Sequence, residues 1–193
     1  MASGSFYMLA LFGTTIFLSA ALLFCVEPMI ARMLLPLLGG APAVWVTCML
    51  FFQLALLLGY GYAHGTLSRL GPRRQAMLQM PLLLAPLLVL PIAFDPQMTA
   101  SWPPGADPSW RLLLMLTVAV GLPFLVLSTT SPLLQAWLAH ASGRDPYFLY
   151  GASNLGSMLA LLAYPAILER HLGLRAQSQA WRWGYVILIV MMA

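Results

Sequence analysis

Apolar residues run along this chain in long blocks, and the polar positions gather between the blocks rather than alternating within them. A hydrocarbon core of about 30 Å needs about 20 apolar residues at about 1.5 Å each. Phe6–Val26, Val44–Ala63, Ala76–Phe94, Leu112–Leu138 and Tyr147–Leu168 meet that length. A sixth block begins near Trp181, with only 11 residues from Trp183 to Ala193. Those make about 16 Å of helix, so the chain is expected to end inside its sixth span. The pattern predicts an all-α integral membrane protein of about six transmembrane helices. A single transmembrane domain over residues 1–193 is expected, with no soluble domain among them.

Composition supports this reading. The chain is 61% hydrophobic and 7% charged, whereas soluble domains carry about 25% charged residues. It has no lysine, and its nine basic residues are all arginine. The net charge of +4 points to no nucleic-acid partner, because the arginines are spread between apolar blocks. The first block lacks a basic leader region and reads as a retained span rather than a signal peptide. Cys25 and Cys48 lie within apolar runs and read as small packing residues. His64, His140 and His171 fall at separate block ends without metal-ligand spacing, and Ser128 and Ser131 have no partner base, so neither metal, cofactor nor enzymatic chemistry is expected.

The connections sharpen the topology. "DPQMTASWPPGADPS", Asp95–Ser109, has four prolines, two aspartates and no basic residue, and reads as an ordered extramembrane loop. Trp102, Trp110, Trp181 and Trp183 fall near block ends, where an interfacial belt places them. With the N-terminus inside, the inner loops hold Arg69, Arg73, Arg74 and Arg144, and the outer ones Arg32, Arg111, Arg170, Arg175 and Arg182. The count alone decides nothing. The tight cluster at Arg69–Arg74 set against the acidic loop favours a cytoplasmic N-terminus.

Four features interrupt the spans. Glu27 and Arg32 bracket Pro28, and Gly39 and Gly40 follow. One reading is a short interfacial helix over 28–38 with Glu27 at its start, where the helix dipole favours a negative charge. The other is a polar cavity, since an intramembrane ionisable pair marks a candidate functional site. Gln53 sits inside the second block. Ser128-Thr129-Thr130-Ser131 precedes Pro132, either satisfying a proline kink locally or forming a cavity wall. Ala152, Gly156 and Ala160 repeat every fourth residue, a seam of small side chains that allows close helix approach, with Asn154 beside it. The cavity candidates are therefore Glu27, Arg32, Gln53, Ser128, Thr129 and Asn154.

"GTLSRLGPRRQ", residues 65–75, resembles the cytoplasmic loop signature between helices two and three of the major facilitator superfamily. Gly65, Arg69, Gly71, Arg73 and Arg74 match, while Ser68 stands where the family has an acidic residue. Over nearly the whole chain, "EPMIARMLLPLLGGAPAVWVTCMLFFQLALLLGYGYAH" and "DPYFLYGASNLGS" resemble the membrane portion of bacterial proteins that fuse a major-facilitator-like domain to a spermidine synthase. That resemblance implies the N-terminal half of a facilitator-like bundle in the bacterial inner membrane, without the synthase domain. Its functional implication is a transport-type module for a small polar or cationic solute. The alternative is an accessory subunit of a larger membrane complex. Either reading requires the lipid bilayer, and further membrane subunits or a second copy, since six helices do not make a two-halved transport cavity.

Overall fold

The computed structural model describes residues 2–95, 97, 107, 109–143 and 147–193. Most of the Asp95–Ser109 loop, including Trp102, lies outside them, as does Arg144. The described residues form helices and no strand. They are α1 (Ala2–Leu38), α2 (Pro42–Leu84, continued by a 3-10 turn at Ala85–Leu88), α3 (Ser109–Ser142), α4 (Tyr147–His171) and α5 (Leu174–Met192). Four of them, α1 to α4, are long and apolar enough to cross a membrane, fewer than the six spans expected.

The difference has two physical sources. The second and third apolar blocks are joined by a sharp reversal at Gly71 rather than by a longer loop, so the two arms count together as α2. Its backbone leaves helical geometry only at Gly71 (φ 70°, ψ 167°), a left-handed conformation that glycine adopts without a Cβ clash. Two contacts show that the chain doubles back there. A Cβ built on Gly59 would overlap Ser128 Oγ, and Gln79 Nε2 donates to Thr129 Oγ1 at 2.8 Å. Twenty residues of straight helix cover about 30 Å, so adjacent residues of α3 can meet both only if α2 is a hairpin. The second source is α5. It starts at Leu174, seven residues before Trp181, so its 19 residues make about 28 Å of helix rather than the short stub expected. Arg175, Gln177, Ser178, Gln179 and Arg182 make its first half too polar to stand with the other four.

The expected separate interfacial helix over 28–38 is absent, because α1 continues through Pro28 and Pro36 to Leu38. Each ring removes one helical donor, and the surrounding hydrogen bonds hold the helix together. α3 carries a π-turn at Thr117–Gly121 immediately before Pro123, and α4 one at Tyr164–Leu168 around Pro165. A widened turn accommodates a proline ring that would otherwise press on the preceding carbonyl.

α1 is the central element and packs on α3, α4 and α5, while the α2 hairpin packs on α3. The main core gathers Val26, Ile30, Leu34, Phe52, Leu116 and Phe124. A smaller cluster joins Ile16, Leu134, Leu138 and Leu149. Polar side chains pin the crossings. Trp181 Nε1 donates to Leu22 O at 2.8 Å, Tyr185 OH to Leu83 O at 2.9 Å, and Ser178 Oγ to Ile92 O at 2.6 Å. Trp181 is therefore a buried cross-link rather than a member of an interfacial belt, whereas Trp110 and Trp183 are exposed. At the seam, Gly156 and Ala160 are buried, and a Cβ on Gly156 would overlap the carbonyl oxygen of Phe17 in α1. Only a glycine permits backbones that close.

Candidate functional site: a groove between α1 and α2

α1 and the first arm of α2 make little contact with each other and diverge around a groove of about 260 Å³. Glu27, Pro28 and Ala31 line it from α1. Trp45, Cys48, Met49, Phe52 and Gln53 line it from α2. The helical repeat explains this meeting. Glu27 and Ala31 lie one turn apart on one face of α1, and Trp45, Cys48, Met49, Phe52 and Gln53 follow the three-and-four spacing of one face of α2. The result is an apolar, aromatic-walled groove with one carboxyl and one carboxamide. A carboxylate held beside aromatic faces suits a cation with an apolar body, because charge pairing and ring quadrupoles act on the same ligand. Among the described residues no group of three His, Cys, Asp or Glu side chains is placed to hold a metal.

Of the six cavity candidates, only Glu27 and Gln53 share this groove. Arg32 turns away from Glu27. Five residues along a helix set two side chains about 140° apart, and Arg32 Nη1 instead meets Glu169 Oε1 of α4 at 3.2 Å, both side chains being about two-fifths exposed. The pair of Glu27 with Arg32 is thus replaced by a pair between α1 and α4 that the sequence did not suggest. Ser128 and Thr129 lie buried between α3 and the α2 hairpin. Their hydroxyls donate to Leu125 O and Val126 O at 2.7 Å, so both are satisfied within α3, although neither bond reaches Ser128 O, the carbonyl that Pro132 leaves free. Asn154 is exposed on the outer face of α4, away from the seam at Gly156.

The loop-signature residues surround the α2 reversal. Gly71 makes the turn, Arg69, Arg73 and Arg74 are exposed around it, and the space beside Gly65 is open. Uncharged polar groups are buried on both arms of α2 and on α3. Gln75 is fully buried with neither end of its carboxamide hydrogen-bonded. Gln79 Oε1, Tyr62 OH and Trp137 Nε1 are likewise buried without partners. These residues were not singled out from the sequence. The available signal was the pair Gln75 and Gln79, one turn apart within an apolar run.

Two further networks fix the site's surroundings. Tyr164 OH donates to Gln177 Oε1 at 2.9 Å, and Gln177 Nε2 donates to Leu172 O at 2.7 Å, tying the end of α4 to the start of α5. At the start of α3, Asp107 Oδ1 accepts from the Ser109 amide and hydroxyl, and both bonds hold its carboxyl below the ordinary aspartate range. Ser109 Oγ also receives a 3.2 Å hydrogen bond from Thr47, so this cap reaches across to α2. No protein-family model, curated protein or solved structure matches the chain.

Proposed function

We propose that this chain is a solute-binding module of the bacterial inner membrane, with the groove between α1 and α2 recognising a small cationic solute that has an apolar body, such as a polyamine. The observation that carries the reading is the convergence of Glu27 and Gln53 on one groove walled by Trp45 and Phe52. An intramembrane carboxyl facing a groove marks a functional site by default. Counting the two arms of α2 and including α5 gives six crossings, as in the first half of a facilitator-like bundle. In that arrangement Arg69, Arg73 and Arg74 lie on the cytoplasmic side with the N-terminus. Alternating access then needs a second half, supplied by another subunit or a second copy. The experiment is equilibrium binding of labelled spermidine to the protein in nanodiscs. Saturable binding that falls at least tenfold in Glu27→Gln supports the reading. Binding that is absent, or unchanged by Glu27→Gln, overturns it.

A second reading is a non-transporting accessory subunit of a larger membrane complex. It rests on Asn154, a carboxamide on an exposed surface of a helix long and apolar enough to cross a membrane. Such a group is costly against lipid and is stabilised by hydrogen bonding across a helix interface. A stoichiometric heteromer in native mass measurements, coupled with loss of association in Asn154→Leu, distinguishes this reading.

A further inference from the structure

The groove between α1 and α2 has a continuation toward the α1–α2 turn. This second space holds about 10 Å³, no larger than one water, and Leu34, Leu35, Gly39 and Val44 line it. Ala31, Trp45 and Cys48 line both spaces. Ala31 and Cys48 are small, so the Trp45 indole is the bulk that divides one space from the other. Trp45 belongs to the start of α2, where its amide donates to Ala41 O at 3.4 Å. A Cβ built on Gly40 would stand 4.0 Å from its Nε1, and the residue is half-exposed. A membrane interface favours a tryptophan at a helix end, but that preference does not place its ring across a groove.

The lining also gives a bound solute a direction. Glu27 is the only acidic side chain on either space. An ammonium group therefore pairs there, and the rest of the solute meets apolar walls. The other α1 residues of the groove, Pro28 and Ala31, both follow Glu27, so α1 walls the groove only on the side of the turn. Glu27, Ala31 and Leu35 repeat every fourth residue and share one face of α1. Each step is about 6 Å. A solute anchored at Glu27 and lying along that face meets the indole near Ala31, one step on, and the smaller space lies beyond it.

We propose that Trp45 is the residue that sets the length of the solute. The cation pairs with Glu27, its apolar body extends along α1 toward the α1–α2 turn, and the indole stops it. This inference rests on the solute-binding reading of the groove and adds the direction and the selecting residue. The class it selects is a cation with a short unbranched apolar chain.

The test is competition against labelled spermidine by straight-chain amines from propylamine to decylamine. Wild type and Trp45→Ala are compared in the same nanodiscs, so partition of the amines into lipid cancels. In wild type, affinity should rise about fourfold per methylene among the shortest amines and level off once the chain meets the indole. Trp45→Ala joins the two spaces. Short amines should weaken by up to about fivefold, because one aromatic face is lost, while amines beyond the wild-type plateau should bind more tightly. Damage to the fold moves the whole series one way, so opposite shifts for short and long chains identify a length limit. Melting curves identify a variant that fails to fold. In that event Trp45→Phe, with its smaller ring, should still carry the plateau to longer chains than wild type. A wild-type series without a plateau, or the same plateau in the variants, overturns the proposal while Glu27-dependent spermidine binding stands. Absence of that spermidine binding removes the solute reading itself, and this proposal with it.

Discussion

Gly156 is the residue on which the α1–α4 crossing depends. A Cβ at this position would overlap the carbonyl oxygen of Phe17 and stand 3.1 and 3.2 Å from its carbonyl carbon and Cα. All three are backbone atoms, so no rotamer change relieves the contact; one helix must move. Forcing one extra carbon into a well-packed interface costs about 1–3 kcal/mol. The prediction for Gly156→Ala is a loss in that range, with a greater loss for Gly156→Leu. Gly151 supplies the control, because it lies on the same helix with nothing within 4 Å of an added Cβ. There alanine should be neutral or stabilising by up to about 1 kcal/mol through helix propensity. The assay is reversible unfolding in mixed micelles, with both variants measured under one condition. Equal stability of Gly156→Ala and Gly151→Ala would refute the close crossing and turn this face of α4 toward lipid.

The remaining predictions concern polar contacts and the α2 reversal. Gln79→Leu should destabilise by about 0.6 kcal/mol, an average membrane hydrogen bond, while Gln75→Met, which removes two buried unpartnered ends, should stabilise by about 1 kcal/mol in the same assay. A double-mutant cycle should give Arg32 and Glu169 a coupling under about 1 kcal/mol, as for other half-exposed pairs, and Arg32 and Glu27 none; a larger Arg32–Glu27 coupling contradicts the geometry. The folded Asp107 carboxyl lies below its usual value of 3.8, so its contribution to the start of α3 is present above that pH and lost as pH falls through the lowered folded value. Protection of the Ser109 amide, measured relative to its intrinsic exchange rate at each pH, should fall over that acid range in wild type and stay independent of pH in Asp107→Asn. Spin labels at the exposed positions Leu57 and Leu84 should lie within about 20 Å, whereas a straight α2 would hold them about 40 Å apart.

The helical membrane character was legible in the sequence because apolar block length is a direct physical requirement of the bilayer. Span count was less so. The reversal at Gly71-Pro72 is so short that the two arms of α2 follow each other with a single non-helical residue between them. The start of α5 was hidden because Arg175 to Arg182 is polar by composition yet held by buried partners such as Leu22 O and Ile92 O. Among the site candidates, Glu27 and Gln53 had no sequence spacing in common; divergence of α1 from α2 brings them together. Arg32 was read against its nearest acid in sequence, but helix geometry sends it to Glu169, more than a hundred residues away. The small-residue period at Ala152, Gly156 and Ala160 was visible because close backbone approach permits so few residue types. Gln75 and Gln79 gave only a faint signal, since a glutamine pair in an apolar run does not itself reveal which helix it faces.

Gln53 tests the central proposal, that the groove between α1 and α2 is a solute site rather than a lipid-filled furrow. Cys48 lines the same groove, so the probe is Gln53→Cys in a protein whose Cys25 and Cys48 are replaced by alanine, reconstituted in membranes. The account predicts modification by a charged, membrane-impermeant thiol reagent applied to both faces, and protection by spermidine that disappears when Glu27→Gln is added. Modification only by a lipid-soluble reagent, with no effect of spermidine, would contradict it.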